Sequence, residues 1–276
     1  MKIGFIGCGN MGSAMIRGIL KKGAARPGDV MAVCAGGRRA RELADELGIL
    51  AGKDGAEAAA FADVLFLAIK PQQFSAAAPL VRPALDQRDR ITVVSMAPGY
   101  TLEALGDLFG EKHALIRIMP NTPAMAGEAM TGICPAADVS AEETAVVETL
   151  CRSFGETEIV PEKLLDVVTA VSGSSPAYVY MLIEAMADGA VLEGMSRAQA
   201  YRFAAQAVLG SARMVLDTGI HPGELKDRVC SPGGTTIEAV RVLEEKGFRS
   251  AVIEAEHACA AKSRAMAPGS EKNGKH

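Results

Sequence analysis

Tryptophan is absent from this 276-residue chain, and aromatic residues make up only 4% of it. Any core must therefore rest on Ala, Val, Leu, Ile and Met. Runs of one charge are missing too: 29 Lys and Arg face 33 Asp and Glu, for a net charge of −4. That balance argues against nucleic acid or an anionic membrane surface as a partner. No uncharged apolar run is long enough to span a bilayer. The start, Met-Lys-Ile-Gly-Phe-Ile-Gly, reaches a glycine turn too soon for a signal peptide. Cys8, Cys34, Cys134, Cys151, Cys230 and Cys259 are scattered, with no C-x-x-C pair and no clustering with histidine. Neither a metal site nor a disulfide framework is expected, and the pattern suits reduced thiols in a cytoplasm.

What is present is an alternation. Short apolar runs at residues 2–6, 30–34, 64–69, 91–95 and 114–118, with weaker ones at 129–134 and 158–160, read as strands. Helical stretches such as 10–22, 38–47 and 102–109 separate them, and Ser140 with Glu143 forms a capping box for another. This predicts an α/β fold: an N-terminal domain over residues 1–160 with a mainly parallel, Rossmann-like sheet. After Pro161 strand signals vanish, so residues 161–267 read as an all-helical domain and 268–276 as a polar tail. There Ser175 and Pro176 suggest a cap and first turn for a helix to Leu192, and Ser196 with Gln199 a capping box. That second helix should stop at Gly219, with short helices from Pro222 and Thr235 and a last one over 249–266. Residues 177–192 and 198–216 are apolar around most of the helix, which implies that a partner subunit shares the bundle.

Two glycine turns carry the chemistry. Gly7-Cys8-Gly9-Asn10-Met11-Gly12 matches G-x-G-x-x-G between a strand ending at Ile6 and a helix, the context a dinucleotide pyrophosphate requires. At the end of the second strand, where an acid would hold an adenosine ribose, stands Ala35-Gly36-Gly37-Arg38-Arg39. Glycines make room for a 2′-phosphate and arginines neutralise it, which favours NADPH, with NADH as the alternate cofactor. The competing reading makes Arg38 and Arg39 a solvated helix start. Ala68-Ile69-Lys70-Pro71 ends a buried strand, with Lys70 either reaching phosphate or ribose or lying on the surface. Met96-Ala97-Pro98 follows the next strand, where small residues let backbone line a nicotinamide pocket. Asn121 is either an anchor for the nicotinamide amide or the head of a structural turn.

The second turn, Ser231-Pro232-Gly233-Gly234-Thr235-Thr236, opens into a helix and holds hydroxyls but no strong base. It is suited to binding a small carboxylate at free helix amides and to polarising a neighbouring group. A cofactor turn and an acid-binding turn together point to a redox enzyme.

In order, GFIGCGNMGSAM, LAIKPQ, RIMPNTPA, DVVTAVSGSSPAYVY and ELKDRVCSPGGTTIEAV resemble pyrroline-5-carboxylate reductases, over residues 3 to about 262. The resemblance implies reduction of 1-pyrroline-5-carboxylate to L-proline with NAD(P)H, the last step of proline synthesis. It also implies a homodimer through the helical domain, with dimers often building larger rings. By that resemblance, residues 6–11, 68–71 and 96–98 contact the dinucleotide. Thr235 and Thr236 hold substrate with Thr236 beside the ring nitrogen, Glu162 matches an acid near the substrate, and Ser231 shares the loop. The chain departs from the family pattern at Gly55, where members often have a cofactor-contacting Asn, and at Pro98 and Arg228.

The chemistry agrees with that implication. A ketone needs a proton donor for its developing alkoxide, whereas a cyclic imine can arrive protonated and take hydride without an enzyme acid. Thr236 would orient the nitrogen while the amides of Gly234, Thr235 and Thr236 hold the carboxylate. The histidines lie outside the strongest motifs, and His221, beside Pro222, reads as structural. A β-hydroxyacid dehydrogenase would carry a catalytic Lys where this chain has Ser172-Gly173-Ser174-Ser175-Pro176. A non-catalytic NADPH sensor would have no use for the hydroxyl turn.

Overall fold

Strand β1 (Ile3–Ile6) is buried along its whole length, as four successive residues without a polar side chain must be in a sheet covered on both faces. The computed structural model describes residues 1–266. The other strands are β2 (Val30–Val33), β3 (Leu50–Ala51), β4 (Val64–Leu67), β5 (Thr92–Ser95), β6 (Ala114–Met119), β7 (Ala129–Pro135) and β8 (Gly155–Ile159). They form one sheet in the order β3-β2-β1-β4-β5-β6-β7-β8, parallel except where β7 runs against β6. The first six follow the 3-2-1-4-5-6 order of dinucleotide-binding Rossmann sheets, whose order reverses beside β1.

Six helices flank this sheet: α1 (Asn10–Lys21), α2 (Arg38–Leu47), α3 (Gly55–Phe61), α4 (Phe74–Asp86), α5 (Leu102–Phe109) and α6 (Ala141–Arg152). Period-2 alternation sends Ile3, Phe5 and Phe66 into one core with Met15, Ile16 and Ile19 of α1. It sends Ile6, Leu65 and Leu67 into a second core with Phe74, Val81 and Leu85 of α4. Phe5 and Phe66 stack with centroids 4.7 Å apart. The capping box of α6 forms as expected: Glu143 N–H donates to Ser140 Oγ, and Ser140 N–H to Glu143.

Several elements differ from the sequence pattern. β3 has two exposed residues and no alternation to reveal it. β8 begins at Gly155, three residues before the expected run, because Gly-Glu-Thr-Glu-Ile pairs through its backbone without an apolar period. α4 contains Pro79 and Pro83, residues that ordinarily end a helix. Both are exposed, so the carbonyls they orphan meet water, while Phe74, Ala78, Val81 and Leu85 bury the opposite side.

The largest correction concerns Ser175. It caps nothing: α7 (Leu165–Val168) runs through a π-helical stretch, Thr169–Ser174, directly into α8 (Ser175–Leu192). Pro176 then lies inside a helix, with no N–H for the carbonyl four residues back, that of Ser172. Asn121 fills the gap, its Nδ2 donating to Ser172 O at 3.0 Å. The wider π turn relieves the ring clash that a regular helix would impose.

The remaining helices are α9 (Arg197–Thr218), α10 (Pro222–Val229), α11 (Thr235–Glu245) and α12 (Phe248–Ala265). Gly219 ends α9 in the left-handed region, as expected. The box at its start is altered: Ser196 Oγ donates to the Gln199 side chain at 2.6 Å and no side chain caps the backbone. The described chain packs as two units, Met1–Ser174 with residues 259–266, and Ser175–Ala258. The expected tail, 268–276, lies outside the described residues. In the second unit α8 and α9 pack together and bury only small residues, Ala187, Ala200 and Ala204. Met181, Phe203 and Leu216 are 69%, 67% and 75% exposed. Among the described residues no helix is long and apolar enough to cross a membrane.

Candidate active site

The first glycine turn sits at the carboxyl end of β1, where each glycine has its own physical reason. Gly7 adopts φ 104° and a Cβ there would lie 2.4 Å from Ala68 O. A Cβ on Gly12 would lie 2.4 Å from Gly7 O, so the third glycine lets α1 close onto the turn. Gly9 is different. A Cβ there meets nothing within 4 Å, so no packing inside the protein demands glycine. It is the N-cap of α1, no side chain caps that helix, and its first turn holds no acid. The amides of that turn have no carbonyl within the helix, which leaves a bare anion-binding surface in front of Gly9.

A cleft of about 760 Å³ opens at this point, lined among others by Ile6, Gly7, Cys8, Gly9, Ala68, Ile69 and Lys70. These expected cofactor residues therefore share one wall. Cys8 is buried and its Sγ lies 3.4 Å from Val33 O. Burial, reinforced by neighbouring Cys34, pushes its thiol up to about 12, so it is an inert wall and no nucleophile. Asn10 turns to Arg39, whose Nη2 donates to Asn10 Oδ1 at 3.2 Å. Met11 packs against the core below the turn.

Arg38 opens α2, beyond the end of β2. Its side chain is 86% exposed, lies 3.6 Å from Glu42, and lines an adjoining groove formed by α1, α2 and residues 124–127. One residue further round the helix, Arg39 lines both that groove and, beside Cys34 and Gly36, the cleft at Gly9. Lys53, which no motif marked, lines it too. Gly55 has a packing reason: a Cβ would lie 2.9 Å from Val81 Cγ2 of α4.

The later strand ends divide. Lys70 faces the cleft and Pro71 starts a short 3-10 turn behind it. Met96 and Ala97 pack into the two cores, Ala97 being 3% exposed, and neither they nor Pro98 line the cleft. Asn121 forms a structural tie. Its Nδ2 donates to Ser172 O and its Oδ1 accepts from Met130 N–H at 3.0 Å. Glu162 is similarly engaged, with Oε1 accepting from Arg117 Nη1 at 2.8 Å and Leu102 N–H at 2.7 Å.

In the second unit the hydroxyl turn is tightly curled. Gly233 has φ 65°, Gly234 N–H donates to Ser231 O at 3.0 Å, and a Cβ on Gly234 would strike Ser231 Oγ at 2.3 Å. Gly234 is the N-cap of α11 and no side chain caps that helix. Ser231 and Thr235 are exposed and Thr236 is half-buried. The one acid of the first turn, Glu238, is forked to Arg241, which holds its carboxyl below the usual range. Arg228 pairs with Glu224 at 2.7 Å, and His221 caps α10 by accepting from Gly223 N–H at 3.1 Å, the structural role expected of it. Among the described residues no cluster of His, Cys, Asp and Glu could hold a metal.

Comparison with known proteins decides the family. The chain is 53% identical over 262 residues to the pyrroline-5-carboxylate reductase of Escherichia coli strain K12, covering 95% of this chain and 97% of that protein. The chain belongs to the pyrroline-5-carboxylate reductase family. Residues 162–266 match the model for pyrroline-5-carboxylate reductase dimerisation, and residues 2–99 the model for NADP oxidoreductase, coenzyme F420-dependent. A solved pyrroline-5-carboxylate reductase from Coxiella burnetii superposes with a TM-score of 0.90 at 30% identity, over 97% of this chain and 98% of that one. The Plasmodium falciparum pyrroline carboxylate reductase, solved with NADP bound, superposes with a TM-score of 0.86 at 29% identity over the same shares. The family's reaction, NAD(P)H-dependent reduction of 1-pyrroline-5-carboxylate to L-proline, is the reaction of this chain. The protein is an oligomeric oxidoreductase acting on a small molecule.

Proposed function

We propose that the cleft at Gly9 holds NADPH and that the Ser231–Thr236 turn holds 1-pyrroline-5-carboxylate. The observation that carries the first half is Gly9 itself, an open glycine at an uncapped helix start. A reduced nicotinamide bound there supplies the hydride for the imine carbon. The chain's own work is binding and orientation. The amides of Gly234, Thr235 and Thr236 take the substrate carboxylate, and the Thr236 hydroxyl fixes the ring nitrogen. Because the nitrogen arrives protonated, hydride addition at carbon gives the secondary amine with no proton owed by the protein.

NADPH preference rests on Arg39. Arg39→Ala should raise the dissociation constant for NADPH about tenfold while that for NADH moves less than about twofold. Arg38→Ala should do much less. Fluorescence titration of both dinucleotides checks this, and equal weakening of the two refutes a 2′-phosphate contact.

We read the assembly as a homodimer through the helical unit, the building block of a larger ring, and place the enzyme in the cytoplasm, where six free thiols stay reduced. A helical unit that buries three alanines and exposes Met181 and Phe203 needs a partner's surface. Met181→Glu combined with Phe203→Glu should shift light-scattering mass toward the monomer and lower the melting temperature. An unaltered mass would place the seam elsewhere.

A further inference from the structure

Lys53 lies in no recognised motif, yet it lines the dinucleotide cleft together with Arg39. Its backbone is tightly placed. Gly52 N–H donates to Ala32 O at 3.0 Å, and a Cβ on Gly52 would strike Val33 Cγ1 at 2.6 Å. The loop is thus pressed against the end of β2 on one side of Lys53. On the other side Gly55 is closed against Val81, and Asp54 Oδ1 accepts from Glu57 N–H at 3.0 Å to cap α3. The lysine therefore projects from a loop fixed at both ends.

Strand order gives that position meaning. β3 lies outside β2, and β2 outside β1, whose turn takes the pyrophosphate. The adenosine ribose of a dinucleotide lies over the end of β2, at Cys34–Gly36. Arg39 approaches this place from α2 and Lys53 from the end of β3, one strand further out. Lys70, three residues beyond the end of β4, belongs to the other side of β1. The one acid along this wall, Asp54, already spends an oxygen on the α3 cap. A 2′-phosphate carries nearly two charges, and one arginine neutralises only half of them.

We propose that Lys53 is a second ligand of the NADPH 2′-phosphate and, with Arg39, determines cofactor specificity. The proposal rests on the NADPH reading above. The test measures binding, using NADPH, NADH, 2′,5′-ADP and 5′-AMP on the intact enzyme and its Lys53→Met and Lys53→Arg variants. Lys53→Met should weaken NADPH and 2′,5′-ADP about tenfold. NADH and 5′-AMP should stay unchanged, and Lys53→Arg should restore most of the loss. Weakening of all four ligands alike, or of none, overturns the assignment of Lys53 while leaving NADPH in place. An unmodified enzyme that binds 2′,5′-ADP no better than 5′-AMP overturns the NADPH reading itself, and Lys53 with it.

Discussion

Thr236→Ala is expected to cut turnover about a hundredfold while leaving NADPH binding nearly intact, because on the proposed reading it removes the hydroxyl oxygen that accepts from the protonated ring nitrogen and orients it. The magnitude follows from the chemistry. A protonated imine needs no acid of matched strength, so in the proposed role the hydroxyl would contribute geometry and one hydrogen bond, and a hundredfold corresponds to about 2.7 kcal/mol. Thr236→Ser keeps the oxygen and should retain most activity. Thr236→Val keeps the shape and loses the hydroxyl, so it should resemble Ala. Single-turnover rates with saturating NADPH, beside a direct titration of the cofactor, separate the two effects. Equal loss of turnover and cofactor affinity would show that Thr236 maintains the fold of the turn and does not act on substrate.

The turn was legible because its physics is local. Two glycines before two threonines at a helix start describe a bare anion-binding end without reference to anything distant, and the G-x-G-x-x-G turn is legible for the same reason. Asn121 was not. Its partner, the carbonyl of Ser172, is free only because Pro176 lacks an N–H, and that tie joins positions 51 residues apart. Reading Ser175-Pro176 as a helix start was reasonable for local geometry, yet the π turn before it lets the helix pass through. Arg38 and Arg39 show a finer limit: adjacent residues on a helix diverge by about 100°, so only the packing of α2 settles which one faces the cleft. Lys53 left no mark because β3, which positions it, is two exposed residues long.

Gly9→Ala and Gly12→Ala add the same methyl group three residues apart and should give opposite results. At Gly9 the backbone is already in an ordinary extended conformation, φ −66° and ψ −170°, and the new Cβ meets no protein atom within 4 Å. The variant should fold with an unchanged melting temperature. Its methyl would stand where pyrophosphate must approach the α1 amides, and binding of either dinucleotide should fall about a hundredfold or more, since several charge-assisted hydrogen bonds lengthen together. At Gly12 the Cβ would sit 2.4 Å from Gly7 O, a backbone atom that cannot swing aside. Relief requires α1 to move off the turn, at a cost of about 1–3 kcal/mol in stability and several degrees in melting temperature. Cofactor binding falls there too, but as a consequence of the displaced helix. Thermal melts with and without NADPH read both effects at once. For Gly9→Ala the NADPH-dependent rise in melting temperature should vanish from an unshifted baseline, whereas for Gly12→Ala the baseline itself should drop. A lowered baseline for Gly9→Ala would mean that its glycine serves the fold, and the open space in front of α1 would lose its claim to the pyrophosphate.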